Sequence, residues 1–450
     1  MSAQGWGWRH AARAAWALRD VDLSVAPGER VLLLGASGSG KSTLLRALAG
    51  VLGDDEGEAL GSLSVAGQAG LVLQNPDSQI VMSRIGDEVA FGCENLGVPR
   101  EDIWPRVRTA LDAVGLDLPL DHPTSALSGG QKQRLAIAAV LAMRPGILLL
   151  DEPTANLDVA GVTEVRDAVG RALAGRDSSL VVVEHRVEVW LPVVDRVVVL
   201  SPHGVIADGD PAAVLRDRGG ELAAAGIWVP GHTPPAPPRH RPEPVVAETA
   251  AGLTVGRDSV PVLTGLDLAV SGGEVLAVTG PNGSGKSTLA LTLAGLLPPL
   301  AGDLDAFGRG SPHRWRSRDL LPLIGSVFQN PEHQFVASTV RAELEVGPHA
   351  LKRPPARVDE LLERLRLTAL ERANPFTLSG GEQRRLSVAT ALATSPRMLM
   401  LDEPTFGQDA VTWAELVALI GSLADDGTAV VAATHDAEFV AALADRTVSL

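Results

Sequence analysis

The sequence contains one cysteine, Cys93, no tyrosine and only four lysines among its 450 residues. A single cysteine excludes an internal disulfide framework and fits a reducing compartment, where it would serve as a small buried apolar residue. The longest uninterrupted apolar run, Leu135–Met143, has nine residues, whereas a membrane-spanning helix needs roughly 18 or more. No basic-then-apolar leader opens the sequence, so we do not expect a secreted protein.

Positive charge is also scarce, because 39 basic residues stand against 54 acidic ones and give a formal net charge of -15. This balance argues against a general nucleic-acid binder, which needs a concentrated positive face for phosphate backbones. The length favours two domains of roughly 200 residues each. Two of the four lysines, Lys41 and Lys286, lie in glycine-rich loops, which indicates that a compact ammonium group is needed there.

The sequence is a repeat of one domain-sized unit. GASGSGKST at 35–43 returns as GPNGSGKST at 280–288, and ILLLDEPTANLD at 147–158 returns as MLMLDEPTFGQD at 398–409. ALSGGQKQRLAIA at 126–138 likewise returns as TLSGGEQRRLSVA at 377–389. In both copies the LSGG serine precedes the LDEP aspartate by 23 residues, and a histidine follows that aspartate after 34 or 33 residues. We therefore expect two copies of one functional unit.

A proline-rich segment separates the copies. Residues 230–244 contain seven prolines in fifteen positions, which predicts a semi-rigid, extended tether. We therefore predict a first domain over 1–226, a linker over 227–245 and a second domain over 246–450. Within each domain, valine- and leucine-rich runs without polar alternation indicate strands buried on both faces, so the predicted fold class is α/β with a mostly parallel core sheet.

The pattern G-x-x-x-x-G-K-[ST], placed after an apolar strand and before a helix, predicts a phosphate-binding loop. The glycines let successive N–H groups point inward, and the following helix adds its positive N-terminal end. The lysine, Lys41 or Lys286, can reach the β- and γ-phosphates of a nucleotide, and the hydroxyl of Ser42 or Ser287 can ligate Mg²⁺. A lone glycine-rich turn would be weak evidence, but this sequence has two complete matches.

Two further motifs complete the predicted site. Asp151 and Asp402 end apolar strands and can place a carboxylate beside the magnesium ion, while the adjacent Glu152 and Glu403 can polarise an attacking water. Alone, such acids would be an ordinary solvated turn. Each LSGG serine would cap a helix and leave free N–H groups and a positive dipole end facing outward, which offers a second anion site.

In this order, the motifs resemble those of an ATP-binding cassette (ABC) ATPase, twice over. The resemblance implies two P-loop NTPase domains, each with an antiparallel β subdomain and a helical subdomain beside its core sheet. It also implies that the cassettes pair head to tail within the chain, so that each ATP lies between one phosphate loop and the other cassette's LSGG motif. The linker would make this pairing intramolecular and raise its effective concentration.

Carried over residue by residue, the resemblance predicts the following sets. The catalytic set is Glu152, Glu403, His185, His435, Gln74 and Gln329. The Mg²⁺ ligands are Ser42, Gln74, Asp151, Ser287, Gln329 and Asp402. The ATP-binding residues are Gly35, Ala36, Ser37, Gly38, Ser39, Gly40, Lys41, Ser42 and Thr43 in the first phosphate loop, Gly280, Pro281, Asn282, Gly283, Ser284, Gly285, Lys286, Ser287 and Thr288 in the second, Ser128, Gly129, Gly130, Ser379, Gly380 and Gly381 in the LSGG motifs, and Trp8.

Trp8 enters this set because the family places an aromatic ring upstream of the phosphate loop to stack on adenine. Trp8 is the better-placed ring of the first copy and Trp6 the next, although a tryptophan without a role is an open alternative. The second copy has AGLTVGR at 251–257 and no aromatic there, so Val255 or Arg257 would flank the base. We therefore expect unequal adenine recognition at the two sites.

The phrase Q-N-P-[DE]-x-Q occurs at 74–79 and again at 329–334. It lies at the glutamine-loop position of the family and resembles the ATPases of energy-coupling factor (ECF) transporters, in the fused form found in actinobacteria. This resemblance implies an ATP-hydrolysing motor for uptake of a vitamin or transition-metal ion. Its partners would be a transmembrane coupling protein and a substrate-binding subunit, at the cytoplasmic face of the membrane. We further expect Asp77, Gln79, Glu332 and Gln334 to line a groove for a partner helix.

Two other classes of double-cassette protein are alternatives. A soluble protein acting on ribosomes typically has a long, charged, helical linker, whereas this connector is short and proline-rich. A DNA-repair or chromosome-structure ATPase would carry a coiled-coil or zinc-finger insertion, and neither cassette is interrupted in that way. The sequence therefore favours the importer motor.

Overall fold

Short runs of valine and leucine form the centres of two parallel sheets. The computed structural model describes residues 1–11, 15–53, 55–155, 157–175, 177–405 and 407–450. The chain divides into two compact units, the first built on Met1–Thr233 and the second on Pro234–Gln408 and Thr412–Leu450. The domain bounds drawn from the sequence stay a prediction.

The first unit alternates strands and helices along its length. Its strands are β1 Ser2–His10, β2 Leu18–Ser24, β3 Arg30–Leu34, β4 Gly57–Ser64, β5 Ala69–Val72, β6 Ile147–Asp151, β7 Ser179–Val183, β8 Arg196–Ser201 and β9 Gly204–Gly209. Its helices are α1 Lys41–Leu48, α2 Ile85–Asn95, α3 Arg100–Val114, α4 Gly129–Ala142, α5 Val159–Leu173, α6 Val187–Trp190 and α7 Pro211–Ala224.

Two sheets organise this first unit. The larger has the order β5-β6-β7-β3-β8-β9 and is parallel except for the antiparallel pair β8–β9. The smaller is antiparallel, with β1 between β2 and β4. One buried cluster joins the large sheet to the helices α2 to α5 and includes Cys93, which is fully buried. A second cluster packs the other face against the small sheet.

The second unit repeats this plan. Its strands are β10 Val245–Arg257, β11 Val260–Gly272, β12 Val275–Thr279, β13 Ala301–Ala306, β14 Ile324–Val327, β15 Met398–Asp402, β16 Ala429–Ala433 and β17 Arg446–Ser449. Its helices are α8 Lys286–Leu293, α9 Ser317–Leu320, α10 Val340–Ala350, α11 Val358–Arg364, α12 Gly380–Leu392, α13 Ala410–Asp425 and α14 Ala437–Leu443. The parallel sheet β14-β15-β16-β12-β17 lies beside the antiparallel sheet β11-β10-β13. The predicted α/β class, with its antiparallel and helical parts, is confirmed.

The proline-rich segment 230–244 contains no helix or strand, but it is held by side-chain contacts. Within the second unit, Arg239 is nearly buried and donates hydrogen bonds to the Asp425 carboxylate at 2.7 Å and to the Gly273 carbonyl at 3.1 Å. Arg241 pairs with Asp445 at 2.5 Å. This part of the segment is therefore anchored on the second unit instead of being a free tether.

Candidate functional site

The phosphate loop of each unit connects a central strand to a helix that begins at the lysine. Gly40 immediately precedes α1 with φ 88°, and Gly285 precedes α8 with φ 99°. Other residues rarely adopt this left-handed backbone. A Cβ atom on Gly40 would also lie 2.6 Å from Leu18 Cδ2. Glycine is therefore required where the loop turns into the helix.

The two loop lysines occupy matching positions. Lys41 Nζ donates to the carbonyls of Gly35 at 2.8 Å and Ala36 at 3.0 Å. Lys286 Nζ makes the same pair of bonds, to Gly280 at 2.8 Å and Pro281 at 3.0 Å. Burial lowers the pKa of Lys41, and the nearby Glu152 and Asp151 carboxylates oppose that shift. A compact cation thus lies inside the curl of each loop, where it can contact phosphate oxygens.

The first acidic residue of each DEP motif lies beside the loop serine. Ser42 Oγ donates to Asp151 Oδ1 at 3.0 Å. Burial, followed by repulsion from Glu152, raises the pKa of Asp151 to about 6. Burial also raises the pKa of Asp402 to about 6, although a hydrogen bond with Ser287 works in the opposite direction. A hydroxyl and a carboxylate at this distance form a hard oxygen donor set, which fits Mg²⁺.

The second acidic residue has unusual backbone geometry in both units. Glu152 has φ 47° and Glu403 has φ 51°, a left-handed conformation that costs energy in a non-glycine residue. Such strain is concentrated at functional sites. Gln74 Nε2 donates to Glu152 Oε2 at 2.6 Å, and His185 Nε2 lies 3.0 Å from Glu152 Oε1. The structure therefore brings Gln74, Glu152 and His185 together, as the sequence predicts.

The second unit builds this cluster differently. His435 reaches Glu403 Oε1 through Nδ1, at 2.8 Å, and Thr434 Oγ1 donates to Glu403 Oε2 at 3.2 Å. No hydrogen bond joins the Gln329 side chain to Glu403 in the described part of the chain.

In the first unit, burial raises the pKa of Glu152, but the charge and hydrogen bond of His185 outweigh it and lower the pKa overall. A carboxylate kept ionised in this way can accept a proton from water.

Sequence reasoning missed an acid that flanks each histidine. Glu184 precedes His185, is buried, and accepts hydrogen bonds from the N–H, at 3.0 Å, and the hydroxyl of Thr154 in DEPT. In the second unit the acid follows the histidine instead, and Asp436 Oδ2 accepts from the Thr405 hydroxyl at 2.6 Å. Both acids fix the threonine after the DEP motif. The signal in the sequence is an acid next to each histidine, in EHR and THD.

Each LSGG serine caps the helix that follows it. Ser128 Oγ accepts a hydrogen bond from Gln131 N at 3.3 Å, and Gln131 Oε1 accepts one from Ser128 N at 2.9 Å. Ser379 and Glu382 form the same reciprocal capping box before α12. Gly129, Gly130, Gly380 and Gly381 form the first turns of these helices. The predicted caps are thus present, and their outward anion-binding role stays a prediction.

Trp8 does not have an exposed face for stacking. Its side chain is 5% exposed and packs in the cluster between the two sheets of the first unit, and Trp6 is equally buried. The pairing of β1 with β4 is irregular between Gln4 and Gly7, and His10 lies at the end of the strand. There the Nε2 atom of His10 lies 3.4 Å from Thr43 Oγ1 in the phosphate loop. Burial therefore argues against Trp8 as the stacking ring, and His10 is the ring that reaches the nucleotide loop.

The last glutamine of each Q-N-P-[DE]-x-Q phrase forms hydrogen bonds within its own cassette. Gln79 Nε2 donates to the Leu71 carbonyl at 3.0 Å, and Gln79 Oε1 accepts from Leu73 N at 3.1 Å. Gln334 bonds with Ser387 of α12 through both of its amide atoms. The amides of these two glutamines are thus bonded within their own cassette, and the expectation that they line a groove for a partner stays a prediction.

A family model described as ABC transporter matches residues 18–155 and 263–406. The chain belongs to this family. Its two matched regions contain both phosphate loops, both LSGG motifs and both DEP motifs. The chain is therefore a tandem-cassette ABC ATPase that binds and hydrolyses ATP.

Relatives match the chain along almost its whole length. YkoD of Bacillus subtilis (strain 168), provisionally named an HMP/thiamine import ATP-binding protein, is 34% identical over 96% of this chain and 86% of its own. SCO2324 of Streptomyces coelicolor, provisionally named an ABC transporter ATP-binding protein, is 36% identical over 96% of this chain and 89% of its own.

A solved structure shares the tandem fold. The archaeal ribosome recycling factor aABCE1, in complex with the ribosomal stalk protein aP1, aligns with a TM-score of 0.66 over 99% of this chain and 87% of its own, at 22% identity. Identity this low shows the fold alone. Among the described residues, no helix of this ABC ATPase is both long enough and apolar enough to span a membrane.

No group of three or more histidine, cysteine, aspartate or glutamate side chains with the arrangement of a metal site occurs in the described ranges. Mg²⁺ commonly takes one or two protein carboxylates together with substrate phosphates and water. Ser42 with Asp151 and Ser287 with Asp402 are the pairs that fit such an ion.

Proposed function

We propose that this ABC ATPase is the motor subunit of a membrane importer of the ECF type, acting at the cytoplasmic face of the membrane through separate transmembrane subunits. The observation that carries the proposal is an exposed valine at the same place in both cassettes. Val81 and Val336, each seven residues after the first glutamine of Q-N-P-[DE]-x-Q, are 63% and 75% exposed. Exposed apolar side chains favour a protein partner where they form a contiguous patch.

A buried carboxylate holds each of these valines in position. Glu88 Oε2 accepts hydrogen bonds from Val81 N at 3.0 Å and Met82 N at 2.7 Å. Glu343 Oε2 accepts from Val336 N at 2.9 Å and Ala337 N at 2.6 Å. Both glutamates are at most 5% exposed. The fold thus uses a buried acid in each cassette to fix a segment whose apolar side chain faces outward.

Further apolar side chains are exposed on elements that follow these segments in the sequence. In the first cassette they are Phe91, Leu96 and Trp104, on or at the end of α2 and on α3. In the second they are Val346 on α10 and Phe376 before α12. Aromatic residues are enriched at the centres of protein interfaces. We infer that these residues, with Val81 and Val336, contact the transmembrane coupling protein. YkoD, whose name describes import, supports this choice of partner.

The proposed chemistry assigns each site residue a role. Lys41 and Lys286 bind the β- and γ-phosphates of ATP, and the backbone of 35–43 and 280–288 cradles them. Bound Mg²⁺, held by the serine–aspartate pairs with Gln74 and Gln329 nearby, would neutralise phosphate charge. Glu152 and Glu403 accept a proton from the attacking water. His185 and His435 orient those carboxylates, as their hydrogen bonds indicate. The pairing of each loop with the LSGG motif of the other cassette stays a prediction.

A role on the ribosome is the alternative from another class. The likeness to aABCE1 rests on fold at 22% identity, and it carries no information about partners. The net charge of -15 disfavours binding to an RNA backbone. No observation on the described residues favours this alternative over the importer.

Co-purification with the transmembrane subunits tests the proposal. We expect Val81→Asp/Val336→Asp to lose the membrane partners, because a charge at the centre of an apolar contact is costly to desolvate. Hydrolysis by the isolated protein should stay within about threefold, since neither valine belongs to the phosphate loop and exposed substitutions have small effects. Val51→Asp is the matched control, because Val51 is 55% exposed elsewhere on the first cassette. Full complex formation by the double variant would refute this docking surface.

A further inference from the structure

The two cassettes differ in how the glutamine loop is joined to the helix after LSGG. We call residues 74–79 and 329–334 the glutamine loops. Their backbones have the same local shape, because Asn75 Oδ1 accepts from Asp77 N at 3.0 Å and Asn330 Oδ1 accepts from Glu332 N at 3.1 Å. The difference lies in the side chains that connect each loop to α4 or α12.

In the second cassette, Arg384 of α12 is buried beneath the glutamine loop, with 3% exposure. Its guanidinium donates to the Phe328 carbonyl at 2.7 Å and to the Gln329 carbonyl at 2.6 Å. A third bond, at 3.3 Å, reaches the carbonyl of Asp402 at the end of β15. One cation thus connects the signature helix, the glutamine loop and the strand that carries the proposed Mg²⁺ ligand.

Two more contacts strengthen this connection in the second cassette. Ser387 Oγ donates to Gln334 Oε1 at 2.7 Å, and Gln334 Nε2 donates to the Ser387 carbonyl at 3.1 Å. Gln383 Nε2 donates to Glu332 Oε1 at 3.1 Å. The loop is therefore bound to α12 at its start, middle and end.

The first cassette has different residues at the matching helix positions. Gln133 replaces Arg384, is 1% exposed, and neither of its amide atoms has a hydrogen-bond partner in the described structure. Ala136 replaces Ser387 and has no hydroxyl, and Gln79 bonds to the strand β5 side of its own loop instead. Between this loop and α4, the side-chain contact that the described residues show is Lys132 with Asp77, at 2.6 Å.

These contacts differ in strength for physical reasons. Hydrogen bonds from a buried guanidinium are charge-assisted and are stronger than neutral ones. Asp77 is 65% exposed, and an ion pair in contact with water contributes little and weakens further with salt. The loop of the second cassette should therefore detach from its helix far less often than the loop of the first.

We propose that Arg384 is a positioning residue that makes the glutamine loop and the signature helix of the second cassette move as one body, whereas the first cassette lacks this connection. The backbone of Gln329 is then held in a defined place for the second ATP site. The backbone of Gln74 has no matching bond to α4 among the described residues, and Gln74 is held by its side-chain bond to Glu152 instead. The inference rests on the site assignment proposed above for its effect on hydrolysis, but its structural part stands without that assignment.

Hydrogen–deuterium exchange on the full chain tests the structural part, with Arg384→Gln and the reciprocal Gln133→Arg as matched variants. In the wild type we expect the amides of 330–336 to exchange at least about tenfold more slowly than those of 75–81, the factor expected when a hydrogen bond to a charged group is at stake. Arg384→Gln should reduce that difference severalfold, while the contacts of Ser387 and Gln383 remain, and Gln133→Arg should slow exchange in 75–81. Equal exchange in the wild-type loops, or no response to either variant, would overturn the proposal.

Hydrolysis tests the functional part, measured with Glu152→Gln present so that the second site supplies the activity. We expect Arg384→Gln to lower kcat about fivefold to tenfold with KM within about twofold, because positioning acts on the reacting state more than on ATP binding. Arg384→Lys should restore part of kcat, since a lysine reaches fewer carbonyls. A parallel loss in kcat, KM and melting temperature, without rescue by lysine, would show a merely structural role and overturn the positioning role.

Discussion

Replacing Asp151 with asparagine should change how stability depends on pH. Burial raises the pKa of Asp151 from its ordinary value of 3.8 to about 6, so the folded protein holds this proton more tightly than the unfolded chain does. The proton's contribution to stability is therefore lost as the pH rises through about 6. Between about pH 5 and pH 7.5 the wild type should lose roughly 1.5 kcal/mol of unfolding free energy relative to Asp151→Asn.

Denaturant unfolding of nucleotide-free protein, with chelator present, measures this difference across the pH range. The quantity of interest is the wild-type value minus the Asp151→Asn value, because the titration of groups that do not interact with Asp151 then cancels. Asp121→Asn, which removes an exposed carboxylate, is the control for loss of a surface charge. A constant offset between wild type and Asp151→Asn from about pH 5 to pH 7.5 would refute the reasoning that burial governs this carboxylate.

Three further outcomes follow from the site geometry. His10→Ala should lower the affinity of the first site for ATP about tenfold by loss of ring stacking, whereas Trp8→Ala should mainly lower the melting temperature. The opposite pattern in equilibrium ATP binding would restore Trp8 as the stacking ring. Gly40→Ala should lower the free energy of unfolding, measured with denaturant, by about 2–4 kcal/mol through left-handed strain and overpacking against Leu18. A Cβ atom on Gly38 would meet nothing within 4 Å. Equal losses for Gly40→Ala and Gly38→Ala would therefore contradict the contribution from overpacking. Glu184→Gln should lower hydrolysis at the first site severalfold, because a charge-assisted hydrogen bond to Thr154 is lost. An unchanged kcat would show that Glu184 has no role in hydrolysis.

Local motifs were sufficient to predict the phosphate loops, the DEP acids and the capped LSGG helices. Each of these depends on residues a few positions apart in the sequence, so spacing alone fixes their geometry. Lys41 and Ser42, for example, follow directly from the glycines that precede them and from the helix that they begin.

Features that depend on register or on distant segments were not predictable in this way. The irregular pairing of β1 with β4 decides that Trp8 faces inward and that His10 reaches the loop. The contacts of Gln79 and Gln334 depend on whether a hydroxyl such as that of Ser387 lies opposite, about 50 residues along the chain. A pattern of six residues contains no information about that partner.

Phosphate release by Glu152→Gln, Glu403→Gln and the double variant tests the central claim, that two sites of one design hydrolyse ATP. The double variant should lose steady-state hydrolysis by on the order of a hundredfold or more, since the group that accepts a proton from water is removed. ATP binding, measured on the same samples, should stay within about threefold, because glutamine preserves the size and hydrogen-bonding capacity of the side chain. Hydrolysis by the double variant near the wild-type rate would contradict the account.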